Sequence, residues 1–139
     1  MPELPDLKSR ADVARMVRSF YETAMADPML KGIFERHLDL DEHMPIMTDF
    51  WETVLFRAGK YRRNALQVHF DIHVVDPLEW PHFERWLEIW KANVDSLYAG
   101  EHAERAKLQA TRIGASIHRR LHGRNPSQFE TVGTREETT

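Results

Sequence analysis

The chain has 139 residues, 42% hydrophobic and 29% charged, with a formal net charge of -3 at pH 7. That length suits one domain around one core, and that composition argues against a largely disordered chain. The charge balance supplies no basic field for a phosphate backbone, so nucleic acid is not an expected partner, and zero cysteines exclude disulfides and thiolate-bound metals.

No apolar run approaches the roughly 20 residues that span a bilayer, and Met1 to Lys8 carry no signal-like stretch. A cytoplasmic protein with no membrane partner is expected.

Ser9 and Asp12 resemble a capping box, and Val13, Met16, Val17, Phe20 and Ala24 then recur at helical spacing until Asp27-Pro28. Met29 to Phe34 reads as a turn and Leu38 to Glu42 as an acidic link. From about His43 to Phe56 a wide apolar stripe includes Ile46, Met47, Phe50, Trp51 and Leu55; Pro45 suits only the first turn of that helix, and Gly59 supplies a stop. Asn64 is positioned to cap a very short helix carrying Leu66, Val68, His69 and Phe70, with Asp71 to Pro81 as a connection. Phe83, Trp86, Leu87, Trp90, Val94 and Leu97 mark a long helix ending at Gly100, and Ala103 through Leu121 mark another closed by Gly123. No strand alternation or internal repeat persists. The pattern predicts an all-α domain over 1–123 with roughly five substantial helices, followed by a polar tail over 124–139.

A two-turn helix is marginal unless something else holds it, and a metal bond to His69 is one such anchor. The alternative is a structural histidine with ordinary partners. The pairs His69/His73 and His118/His122 have zinc-compatible spacing without the HExxH glutamate, and His118/His122 sit beside Arg119 and Arg120 where a solvated helix end is the simpler reading. A di-iron site needs two Glu-x-x-His motifs, whereas only Glu79 to His82 occurs, interrupted by Pro81. Neither a nucleophile elbow nor a phosphate-binding glycine loop is present.

A haem site needs one neutral imidazole, an apolar crevice, and a few polar groups on the opposite face. Phe34, Met47, Phe50, Leu66 and Phe83 are candidates for the crevice, or are simply core residues.

The residues Phe20-Tyr21, Gly32-Ile33-Phe34, His43 with Asp49-Phe50-Trp51, Tyr61 with His69, and His82-Phe83-x-Arg85-Trp86-Leu87 occur in one order over about residues 10 to 121. In order and spacing they resemble group III of the truncated haemoglobins. The resemblance implies a truncated globin fold, haem b as cofactor, His69 as the proximal iron ligand, and Phe34 against the haem plane. It places Tyr21, His43 and Trp86 on the distal side and Tyr61 on a haem propionate, with Arg62 or Arg63 nearby as added charge or merely an exposed basic turn. The chain departs from the family at Arg63 and Ala65, where glycine and proline are usual. It departs again at Ile46, where a basic residue often stands, so propionate neutralisation must come from elsewhere or from water.

The physics of those roles is independent of the name. A phenol O–H or indole N–H aimed at a polar diatomic ligand supplies about 0.5–1.5 kcal/mol or more in a dry pocket. Trp86 is alternatively a core anchor whose N–H finds a backbone carbonyl. His43 is open to three roles: ligand donor, gate, or direct iron ligand.

The expected function is binding of O2, NO, CO or peroxide. Redox chemistry on the ligand, either NO dioxygenation or peroxide reduction, is preferred over a non-catalytic carrier or sensor. No flavin or nicotinamide motif is present, so a separate reductase is implied, and a monomer is expected.

Overall fold

The computed structural model describes residues 3–57, 59 and 64–123. Among them run α1 (Arg10–Ala24), α2 (Lys31–His37), α3 (Leu40–Phe56), α4 (Ala65–Val75), α5 (Trp80–Leu97) and α6 (Glu101–Leu121). The described residues contain no strand.

The long helices follow their sequence periodicity. Extended Ser9 caps α1 by accepting the Asp12 N–H, and Val13, Met16, Val17, Phe20, Tyr21 and Ala24 form its buried face. In α5, Pro81 lies within the first turn, where a missing N–H costs nothing. Glu79 and His82 there form a reciprocal capping box, with Glu79 N–H donating to His82 Nδ1 at 3.0 Å. The Glu-x-x-His spacing thus serves as a helix start. α6 buries small residues, and Ala103, Ala106 and Ala110 allow α5 to approach so closely that Trp90 Nε1–H donates to Ala106 O at 3.1 Å.

Its N-terminus is capped from far away in sequence, since the Asp6 carboxylate accepts the His102 and Ala103 N–H groups. Gly100, at φ +134°, makes room for it: a Cβ there would lie 2.6 Å from Asp6 Cγ.

Five local expectations are corrected. Met29 to Phe34 leads into α2 rather than forming only a turn. α3 begins at Leu40, not His43, because Asp39 caps it and Asp41 and Glu42 place negative charge in its first turn. Pro45 therefore falls in the second turn, inside the helix, where it leaves a backbone carbonyl without its usual donor. The stop comes before Gly59, at left-handed Arg57 (φ 57°), whose N–H returns to Thr53 O. α4 continues through the expected connection as far as Val75, closed by Asp76 N–H to Ile72 O at 2.7 Å.

α1, α3, α5 and α6 pack into the main core, which includes Phe20, Trp51, Trp90 and Tyr98. Trp90 stacks between Trp51 (4.5 Å between ring centres) and Trp86 (5.7 Å), so three indoles form a rigid column across α3 and α5. A second cluster under α4 contains Leu66, Leu78, Phe83, Ile117 and Leu121.

α2 is seven residues long and fully buries none of them, too little to persist alone. Buried Asp27 holds its approach by accepting the Met29 and Leu30 N–H groups and by pairing with Arg85 Nε of α5 at 2.7 Å. Burial pushes this carboxyl up, but Arg85 and the two backbone donors outweigh it and hold the pKa below the ordinary 3.8. A depressed carboxylate stabilises the fold above its unfolded pKa and loses that contribution as pH falls through the folded value. Asp27→Asn should therefore be less stable at pH 7 and lose stability less steeply on acidification below about pH 4, measured by urea unfolding at several pH values.

Candidate functional site

The two short helices, α2 and α4, form walls of a cavity of about 370 Å³, within the range of small-molecule sites. α1 contributes Tyr21, α3 contributes His43, Met47 and Phe50, and α5 contributes Phe83 and Trp86. Ile113, Gly114 and Ile117 of α6 close one side.

On α4, Ala65, Val68, His69 and Ile72 face the cavity at the i, i+3, i+4, i+7 spacing of one helix face. Leu66 lies off that face. It is buried in the cluster with Leu78, Phe83, Ile117 and Leu121 and is not among the cavity-lining residues, so its expected place in the crevice is corrected to the core behind α4. Phe34, Met47, Phe50 and Phe83 do line the cavity; Tyr61, Arg62, Arg63 and the tail 124–139 lie outside the described residues.

His69 Nδ1 lies 2.6 Å from Ala65 O. A carbonyl oxygen only accepts, so Nδ1 carries the proton and Nε2 keeps a lone pair. Burial lowers the pKa, overriding the opposite pull of the Ala65 hydrogen bond, and so favours the neutral imidazole that binds metals. This is the donor, tautomer and backbone brace of a histidine able to bind a metal.

Tyr21 is buried, and its hydroxyl lies 2.7 Å from His43 Nε2. Phe34 packs edge-on against the Tyr21 ring at 5.6 Å between centres. Burial pushes the phenol well above its usual pKa of 10.0, so it remains a protonated donor at neutral pH. The pair has two hydrogen-bonded forms. Either Tyr21 donates to His43, or His43 donates to the phenol oxygen and the O–H is released toward the cavity.

Trp86 is half-buried at the cavity edge, its ring held by Trp90 and by Phe20 at 5.6 Å. The backbone-carbonyl bond considered for Trp86 is made instead by Trp90, to Ala106; among the described residues none occupies the Trp86 N–H. None of these three side chains hydrogen-bonds His69.

The remaining histidines have other partners. His73, expected beyond its helix, lies within α4, and its Nδ1 accepts the Leu78 N–H at 2.8 Å. His122 donates to Leu78 O at 2.7 Å, and His118 packs against Trp80 and Phe83, so this end of α6 is not simply solvated. Among the described residues no group of three or more His, Asp or Glu side chains is arranged to hold a metal ion.

The α6 wall and the acidic rim, Asp39 and Glu42, were not anticipated. Ile113 and Ile117 were legible only as an apolar face. Gly114 offered a faint signal, a glycine within an otherwise alanine-rich stripe.

No protein-family model matches the chain, and no curated protein matches it. Among solved structures it is similar to the crystal structure of group III truncated hemoglobin from Campylobacter jejuni, with a TM-score of 0.76 and 23% identity over 84% of this chain and 94% of that one. The likeness is one of architecture: the chain has the truncated globin fold.

Proposed function

We propose that this chain is a group III truncated haemoglobin, a haem protein in which His69 is the axial iron ligand and Tyr21, His43 and Trp86 contact a diatomic gas. The observation that carries this reading is the Nδ1–H bond from His69 to Ala65 O, which leaves a neutral nitrogen donor on a ring lining the cavity. The residues fit the group. The imidazole suits iron, and Phe34, Met47, Phe50 and Phe83 supply apolar walls for a flat macrocycle. Haem supplies an iron position at which O2, NO, CO or peroxide can bind.

The chain's own residues tune that position. Tyr21 and Trp86 present neutral donors in a dry space, where hydrogen bonds are stronger than in water. His43 sets the direction of the Tyr21 proton, and Pro45, two residues on, stiffens the backbone from which it projects. Several donors slow ligand release, which suits redox chemistry on the ligand, NO dioxygenation or peroxide reduction, with electrons from a separate reductase. The second reading is a non-catalytic carrier or sensor. Stopped-flow O2 release and NO consumption with a chemical reductant separate them: slow release with repeated turnover is expected, and fast release without turnover favours the carrier.

The cavity has its own test. A Cβ at Gly114 meets protein only at Leu87, 3.9 Å away, so a larger side chain has room to extend into the cavity. Gly114→Phe should abolish haem uptake while far-UV circular dichroism remains that of the unchanged helical fold. Normal uptake by a folded variant would place the haem elsewhere.

A further inference from the structure

At the end of α2, Arg36 and His37 converge on the carboxylate of Asp76, which follows α4. The Arg36 Nε and Nη2 atoms each donate at 2.8 Å, and His37 Nε2 donates at 2.6 Å. Such a fork plus a third donor is a complete receptor for one carboxylate.

It sits on the rim of the cavity, because His37 is itself a lining residue, as are Leu38, Asp39 and Glu42 beyond it. The described lining residues include no Lys or Arg and two exposed carboxylates, Asp39 and Glu42. A ligand with a flat apolar body and two carboxylates of its own needs cationic partners at such a rim.

We propose that Arg36 and His37 receive one propionate of the porphyrin, and that Asp76 is the internal carboxylate which that propionate displaces. The inference rests on the reading of the cavity as a porphyrin site. Exchange is cheap for three reasons. Arg36 is 55% exposed, and ion pairs in solvent hold only weakly. Asp76 is ionised at neutral pH, as a propionate is, so one carboxylate replaces another with no change of charge at the receptor. The end of α4 does not depend on that side chain, since the Asp76 backbone N–H closes the helix on Ile72 O.

The alternative is a strut that merely ties α2 to α4, and it predicts the opposite sign. The test uses iron-free protoporphyrin IX and its dimethyl ester, followed by fluorescence on the full chain, so that His69 coordination plays no part. Wild type should bind the diacid more tightly than the ester. Asp76→Asn, which removes the competitor, should slow diacid release by about 3- to 10-fold while leaving the ester unchanged. Arg36→Gln should erase the preference for the diacid. Faster release of both porphyrins from Asp76→Asn would identify a strut and overturn the exchange, as would equal binding of diacid and ester by wild type. Failure of wild type to bind either porphyrin would instead remove the porphyrin reading, and the exchange with it.

Discussion

His69→Gly is expected to lose haem about 100-fold faster or more than wild type, and to regain a five-coordinate spectrum when imidazole is added. Disturbing even an outer partner of a metal ligand costs about 10- to 100-fold, so deleting the ligand itself costs at least as much. The α4 helix magnifies the effect, because Leu66 is its one fully buried residue. Free imidazole can restore a nitrogen donor but not the tether to α4, so rescue should recover the spectrum more fully than the retention time. Haem transfer to an excess of apomyoglobin measures the rate. Unchanged spectra and unchanged transfer would remove His69 from the iron.

Tyr21→Phe is expected to speed O2 release by about 10- to 100-fold, the equivalent of losing about 1.5–3 kcal/mol from a hydrogen bond in a dry site. The substitution keeps the ring and its edge-on contacts with Phe20 and Phe34, so the unfolding midpoint should move far less than the ligand kinetics. Burial holds the phenol protonated, so it remains an O–H donor at neutral pH. Flash photolysis and O2 displacement by CO measure the rate. An unchanged rate, with Trp86→Phe accelerating release instead, would transfer the principal donor role to the indole, whose N–H has no acceptor among the described residues.

The helices that were legible in the sequence are those whose burial is regular. α1, α5 and α6 each place buried residues three or four apart, and their caps, Ser9, Glu79 with His82, and the turn at Gly100, lie beside them. α2 and the length of α4 are not legible in the sequence because helical periodicity reports burial, and these two elements bury almost nothing completely. They face a cavity instead. Leu66 shows the same limit at a single residue: an apolar side chain next to lining residues is indistinguishable by composition from one turned into the core.

Much of the site was legible for a different reason. The sequence points to Tyr21, Phe34, His43, Met47, Phe50, His69, Phe83 and Trp86, and all eight line one cavity. Polar rings embedded in apolar helices are chemically conspicuous in a sequence. The Arg36–His37–Asp76 cluster is not legible in the sequence, because Asp76 lies 39 to 40 residues from the other two and all three are ordinary in composition. The tautomer of His69 depends likewise on a backbone oxygen that only folding brings to the ring.

Resonance Raman spectra of the ferrous, haem-reconstituted chain probe the iron–imidazole bond itself. An iron–histidine stretch in wild type that disappears in His69→Gly is the result predicted. A protein that takes up no haem and shows no Soret band, or one whose iron–histidine stretch survives that substitution, would contradict it.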